Sequence, residues 1–99
     1  MELHDGPGDE LDLRRRRLRY RAWHRGMREM DLVLGRFADA ELESLTPHEL
    51  DQLEALMEAP DPDLFAWILG QSDVPPERDT VIFRRLAEFN RAGRGAAQR

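Results

Sequence analysis

Apolar residues recur along this chain at helical spacing, and no segment alternates as a strand would. The clearest stripe is Met30, Val33, Leu34 and Phe37, at i, i+3, i+4 and i+7. It predicts a helix over about residues 28–43. Gly35 lies inside it and either bends the helix or lets another element approach closely. Upstream, residues 10–25 carry a thin apolar face of Leu11, Leu18, Ala22 and Trp23, with Asp9 placed as a cap. Gly26 separates the two helices and marks a turn or a sharp change of direction.

The strongest start signal comes next. In Thr46-Pro47-His48-Glu49, Thr is at the N-cap, Pro at N1 and Glu at N3, which is a capping box. Leu45 and Leu50 supply the accompanying hydrophobic staple. This helix is expected to reach about residue 58, with Leu50, Leu53, Leu56 and Met57 inward. Pro60 stops it. Asp61 is expected to cap a short fourth helix, with Pro62 at N1 and Asp63 favourable to the helix dipole. Leu64, Phe65, Ile68 and Leu69 form its inner face, and Gly70 suits the position after its end. After a loop over residues 71–76, a fifth helix is expected over about 77–92. Val81, Ile82, Leu86 and Phe89 point inward, and Gly93 ends it. The predicted fold is all-α, a small five-helix bundle. A single helical domain over residues 9–92 lies between flexible tails at 1–8 and 93–99.

Size limits the chemistry. At 99 residues the chain buries roughly 60–65% of its unfolded surface, which leaves little interior for a deep catalytic pocket. The absence of cysteine excludes disulfides, thiolate metal sites and thiol catalysis. His4, His24 and His48 are scattered, without a ligand pair on one helix face. Ser44 and Ser72 sit outside any nucleophile motif. The chain therefore reads as a binding protein, not an enzyme. No apolar run approaches the roughly 18–20 residues needed to span a bilayer. The acidic start, Met1-Glu2-Leu3-His4-Asp5, resembles neither a signal nor a transit peptide. A soluble cytoplasmic protein without membrane insertion is expected.

The net charge of −5 conceals an asymmetry. Residues 14–36 hold nine Arg against two acids, Glu29 and Asp31, whereas residues 37–77 hold eleven acids and no Arg. Such a dipole favours oriented docking. The run over residues 14–21, with Tyr20 and Trp23 interleaved, offers an alternative reading as a small helical nucleic-acid-binding or adaptor protein. Against nucleic acid, four consecutive Arg spread around a helix instead of forming a stripe. The pI of 5.2 is also far below the value of about 9 that marks such binders. All fifteen basic residues are Arg, which points to genome composition before function.

The sharper chemistry surrounds Gly26. Arg25 and Glu29 are four residues apart and could simply form an ion pair worth about 0.3–0.5 kcal/mol. Alternatively, Gly26 removes a side chain so that a partner backbone can approach, with Arg25 as a donor fork and Glu29 as an acceptor at the edge. The residues alone leave both readings open. Trp67 falls off the main stripe of its helix, so it is a candidate for partner contact.

Two stretches carry a resemblance. Arg25-Gly26-Met27-Arg28-Glu29-Met30-Asp31 resembles the Arg-Gly-x-x-Glu signature of the SdhE family of flavin assembly factors. Asp61-Pro62-Asp63-Leu64-Phe65-Ala66-Trp67 resembles that family's second recurrent segment. The resemblance covers roughly residues 20–92 and leaves the N-terminal Arg run unexplained. It implies an assembly factor, or chaperone, that binds the flavoprotein subunit of succinate dehydrogenase, or of the related fumarate reductase. Such a factor promotes covalent attachment of FAD to a His of that subunit. It implies no stably bound cofactor, because the FAD belongs to the partner. By match of position it implies partner contacts at Arg25, Gly26 and Glu29, with Met27 and Arg28 as neighbours.

Overall fold

The computed structural model describes residues 7–97, with side chains over 10–93. The chain is all-α, with five α-helices and no strand among the described residues. They are α1 (Pro7–Trp23), α2 (Arg28–Glu41), α3 (Pro47–Leu56), α4 (Asp61–Ile68) and α5 (Val81–Ala97). Short 3₁₀ turns follow α2 (Leu42–Ser44) and precede α5 (Pro76–Arg78). The chain divides between Pro47 and His48 into two compact units.

In the first unit α1 packs on α2. Leu18, Ala22, Met30, Leu34, Phe37, Ala38, Leu42 and Leu45 are buried. Of the two roles open to Gly35, close approach is the one realised. A Cβ built there would overlap the indole of Trp23. Trp23 Nε1 donates to Asp39 at 3.2 Å, and Arg19 pairs with Asp39 at 3.2 Å and with Glu43 at 3.5 Å.

The Arg run is not uniform. Arg15 lies four residues before Arg19 and eight before Trp23, so the three share one side of α1. Arg15 Nε donates to the Leu42 carbonyl at 3.1 Å and Nη2 to the Leu45 carbonyl at 3.0 Å. The guanidinium thus satisfies two carbonyls where the helical path ends. Arg15→Ala should cost about 1–3 kcal/mol, since part-buried acceptors lose a charged donor. Arg15→Lys should recover only part of that, lacking the fork. Urea unfolding measures both.

In the second unit Leu50, Leu53, Leu56, Met57, Leu64, Ile68, Ile82, Phe83 and Leu86 are buried. Thr46 stands one residue before the start of α3, as the capping box requires, and both staple residues are buried. Gln52 Oε1 accepts the Ile82 N–H at 3.3 Å, Arg78 donates to the Ala55 carbonyl, and Arg85 pairs with Glu49 at 3.6 Å. These tie α3 to α5. Gly70, at φ +74°, ends α4. The Gln71 N–H reaches the Ala66 carbonyl at 2.8 Å and the Gly70 N–H reaches that of Trp67 at 3.1 Å. That pair of bonds is a Schellman motif.

Several boundaries differ from expectation. The first helix starts at Pro7, so Asp9 lies inside it instead of capping it, and it ends at Trp23 instead of residue 25. The second ends at Glu41, and the 3₁₀ turn completes its path. The third ends at Leu56. Pro60, not Asp61, is the N-cap of α4, because the Pro60 carbonyl already accepts the Leu64 N–H at 3.0 Å. The fifth helix starts at Val81, where Thr80 Oγ1 accepts the Phe83 N–H at 3.1 Å. That start leaves Val81 57% exposed and turns Phe83 inward. Just before it, Asp79 accepts both Nε and Nη2 of Arg84, at 2.9 and 3.1 Å. This hydrogen-bonded fork holds the Asp79 carboxyl below the usual carboxylate range and raises Arg84. Gly93 does not end α5, which runs on to Ala97. Residues 1–6 and 98–99 of the expected tails lie outside the described residues.

Candidate functional site

The site is the corner between α1 and α2. Four residues, 24–27, make the turn, and Gly26 makes it possible with φ +98°. Left-handed backbone of this kind costs a residue with a Cβ roughly 1–2 kcal/mol. The space around Gly26 is open: a Cβ there would meet nothing within 4 Å. The glycine is therefore needed for backbone conformation and not for packing within the chain. Its exposed backbone is accessible from outside.

Both ends of the corner are fastened. On the α1 side, His24 Nδ1 lies 2.7 Å from the Tyr20 carbonyl. A carbonyl only accepts, so Nδ1 carries the proton and donates. The imidazole stacks on the Tyr20 ring at 4.0 Å and 18°. On the α2 side, Met27 is the N-cap in an extended conformation without a side-chain cap bond. Asp31 Oδ1 accepts the Arg25 N–H at 2.6 Å. The same residue's N–H donates to the Met27 carbonyl at 2.9 Å. Asp31 thereby latches the residue before Gly26 onto the first turn of α2, where a carboxylate also suits the helix dipole.

The corner brings together five of the six residues singled out from sequence. Arg25 and Met27 are half-buried, whereas Gly26, Arg28 and Glu29 are exposed. Trp67 lies on α4 in the second unit and is half-buried. Asp31, Tyr20 and His24 belong to the corner but were not among the six. An acid five residues after a turn glycine was the available signal for Asp31. The stack had none, because the Tyr20–His24 spacing also fits a plain exposed helix face. The corner offers a donor fork, a carboxylate and an uncovered backbone, which suits recognition of another chain. It does not assemble a nucleophile with a base. Among the described residues no cluster of His, Asp or Glu could hold a metal ion, and no helix is long and apolar enough to cross a membrane.

Comparison with known proteins covers this corner. The family described as flavinator of succinate dehydrogenase matches residues 16–90. The chain is similar to the FAD assembly factor SdhE of Acetobacter pasteurianus, with 42% identity over 87 residues, 88% of this chain and 80% of that protein. It is also similar to the mitochondrial succinate dehydrogenase assembly factor 2 of Dictyostelium discoideum. There the identity is 40% over 75 residues, 76% of this chain and 53% of that protein. For the protein of the same name in Scheffersomyces stipitis the identity is 36% over 85 residues, 82% of this chain and 57% of that protein. The chain thus spans most of the bacterial relative and little more than half of these two mitochondrial ones.

Proposed function

This chain belongs to the family of flavinators of succinate dehydrogenase, and on that premise we propose that it promotes covalent FAD attachment to the flavoprotein subunit of that enzyme. Fumarate reductase, with a similar flavoprotein, is a second client under this proposal, and the bacterial cytoplasm is where both are met. The observation that carries the reading is the uncovered Gly26 backbone inside the matched segment, between Arg25 and Glu29.

The bond forms between the flavin and a histidine of the partner, and that chemistry is the partner's own. This chain supplies position. Its corner docks on the immature subunit, with the Gly26 backbone against partner backbone. Arg25 and Arg28 meet acceptors there, and Glu29 meets a donor. Trp67, on the second unit, is a separate candidate contact for the same partner. Holding a mobile partner segment in the reactive arrangement removes an entropic barrier of several kcal/mol without a catalytic residue from the helper.

The test is expression of the flavoprotein subunit with and without this chain, followed by denaturation and measurement of flavin fluorescence in the protein band. Covalent flavin should depend on the chain. Glu29→Ala should lower it roughly tenfold, the loss of one charge-assisted contact. Equal flavin with and without the chain would reject the proposal.

A further inference from the structure

The site does not stop at the corner. Leu13, Arg17 and Tyr20 fall at i, i+4 and i+7 on α1, and His24, the first residue of the turn, carries the same side on towards Gly26. The opposite side of α1 is occupied: Leu18 and Ala22 are buried, and Arg15, Arg19 and Trp23 hold α2 and the turn after it. The strip is the face turned to solvent. Among the described residues three large hydrophobics are strongly exposed, and two of them, Leu13 at 42% and Tyr20 at 65%, lie on it. Leu13 and Tyr20 stand on either side of Arg17 on this face and lead into the corner.

We propose that this strip is a docking surface continuous with the Gly26 corner, and that its occupant is an apolar segment of the flavoprotein subunit flanked by carboxylates. The inference rests on the reading above and extends it from a corner to a helix face. Three features select that occupant. First, the step from Leu13 to Tyr20 covers about 10 Å at helical rise, and His24 continues it into the corner. That length fits a segment, not a point contact. Second, the Tyr20 ring is already held, stacked on an imidazole that is itself bonded to the Tyr20 carbonyl. A preordered aromatic loses little freedom on binding and makes an efficient anchor. Third, Arg17 stands on the strip within the region that holds nine Arg against two acids. Carboxylates beside the apolar contacts would complement it. This assigns a role to Arg17 within the N-terminal Arg segment and to Leu13, which lies ahead of the family match.

The experiment uses the full chain and purified flavoprotein subunit lacking covalent flavin. Calorimetric titration is run with wild type, with Leu13→Ala/Tyr20→Ala, and with Arg17→Glu. These side chains are exposed, so native helicity by circular dichroism is expected in each. Each variant should bind roughly tenfold more weakly, and raising salt should weaken wild type more than Arg17→Glu. Flavin attachment should recover when the Leu13/Tyr20 variant is supplied in excess, since the strip docks and does not position the reacting groups. Wild-type affinity in both variants, with Glu29→Ala still impaired, would overturn the strip and leave the proposed function standing. So would an unchanged affinity accompanied by altered self-association, or by loss of salt-sensitive binding to duplex DNA. Normal flavin attachment in the complete absence of the chain would instead reject the proposed function itself.

Discussion

Gly26→Arg is expected to reduce covalent flavin to the level seen without the chain, while Gly26→Ala retains most of it. Both substitutions place a Cβ at φ +98° and should lose roughly 1–2 kcal/mol of stability to left-handed backbone strain. Arg adds length and a positive charge that Ala lacks. Within the chain the Cβ of either meets nothing within 4 Å, so the first atom of both side chains is free of a clash. At equal folded fraction, a difference in flavin attachment then reports the length and charge that Arg presents where a partner backbone approaches. Gly26→Asn, better tolerated at positive φ, should be more stable than Ala and close to it in flavin attachment. Urea unfolding gives the stability and in-gel fluorescence gives the attachment. If Ala proves as damaging as Arg at equal folded fraction, backbone geometry at the corner, and not open access to it, carries the function.

The second large effect is structural. Gly35→Ala would ordinarily strengthen a helix interior by about 1 kcal/mol. Here the new methyl would overlap the Cδ2, Cε2 and Cε3 atoms of Trp23. The indole has no easy retreat, since its Nε1 is bonded to Asp39 and that carboxylate also pairs with Arg19. Overpacking of this kind costs about 1–3 kcal/mol or more. Gly35→Ala should therefore destabilise the protein, and Gly35→Leu should do so severely. In a Trp23→Ala background the penalty of Gly35→Ala should vanish, because the clashing partner is gone. A stabilised Gly35→Ala single variant would contradict the packing of α1 on α2. Because α1 and α2 frame the corner, the single variant should also lower flavin attachment in proportion to its unfolded fraction.

Where apolar period and stop signals agree, the sequence was readable to within a few residues. The Met30–Phe37 spacing, the Thr46 box and Gly70 each express a local rule, and local rules survive folding. Gly26 was readable for the same reason, as a residue chosen for a conformation others avoid. Inferences that needed a neighbour were not readable. Val81 looks apolar and helical, but the Pro76–Arg78 turn and the Thr80 cap fix where α5 begins. That register leaves Val81 outside and brings Phe83 in. Gly93 reads as a stop, yet the helix passes through it, since each glycine costs a helix interior only about 1 kcal/mol. Arg15 is indistinguishable from its neighbours until the carbonyls of Leu42 and Leu45 arrive beside it. At Asp31 the acid near the turn glycine was visible, but its latch was not. A carboxylate reaching a backbone N–H six residues back exists only once the turn has formed.

The central claim is that this chain speeds flavin attachment by docking and supplies none of the chemistry. Its most direct test is reconstitution from purified flavoprotein subunit, free FAD and this chain, following covalent flavin over time. The rate should rise with added chain, saturate, and return to the unassisted rate with Gly26→Arg. A rate independent of the chain at every concentration, under conditions where the subunit is folded and binds FAD, would contradict it.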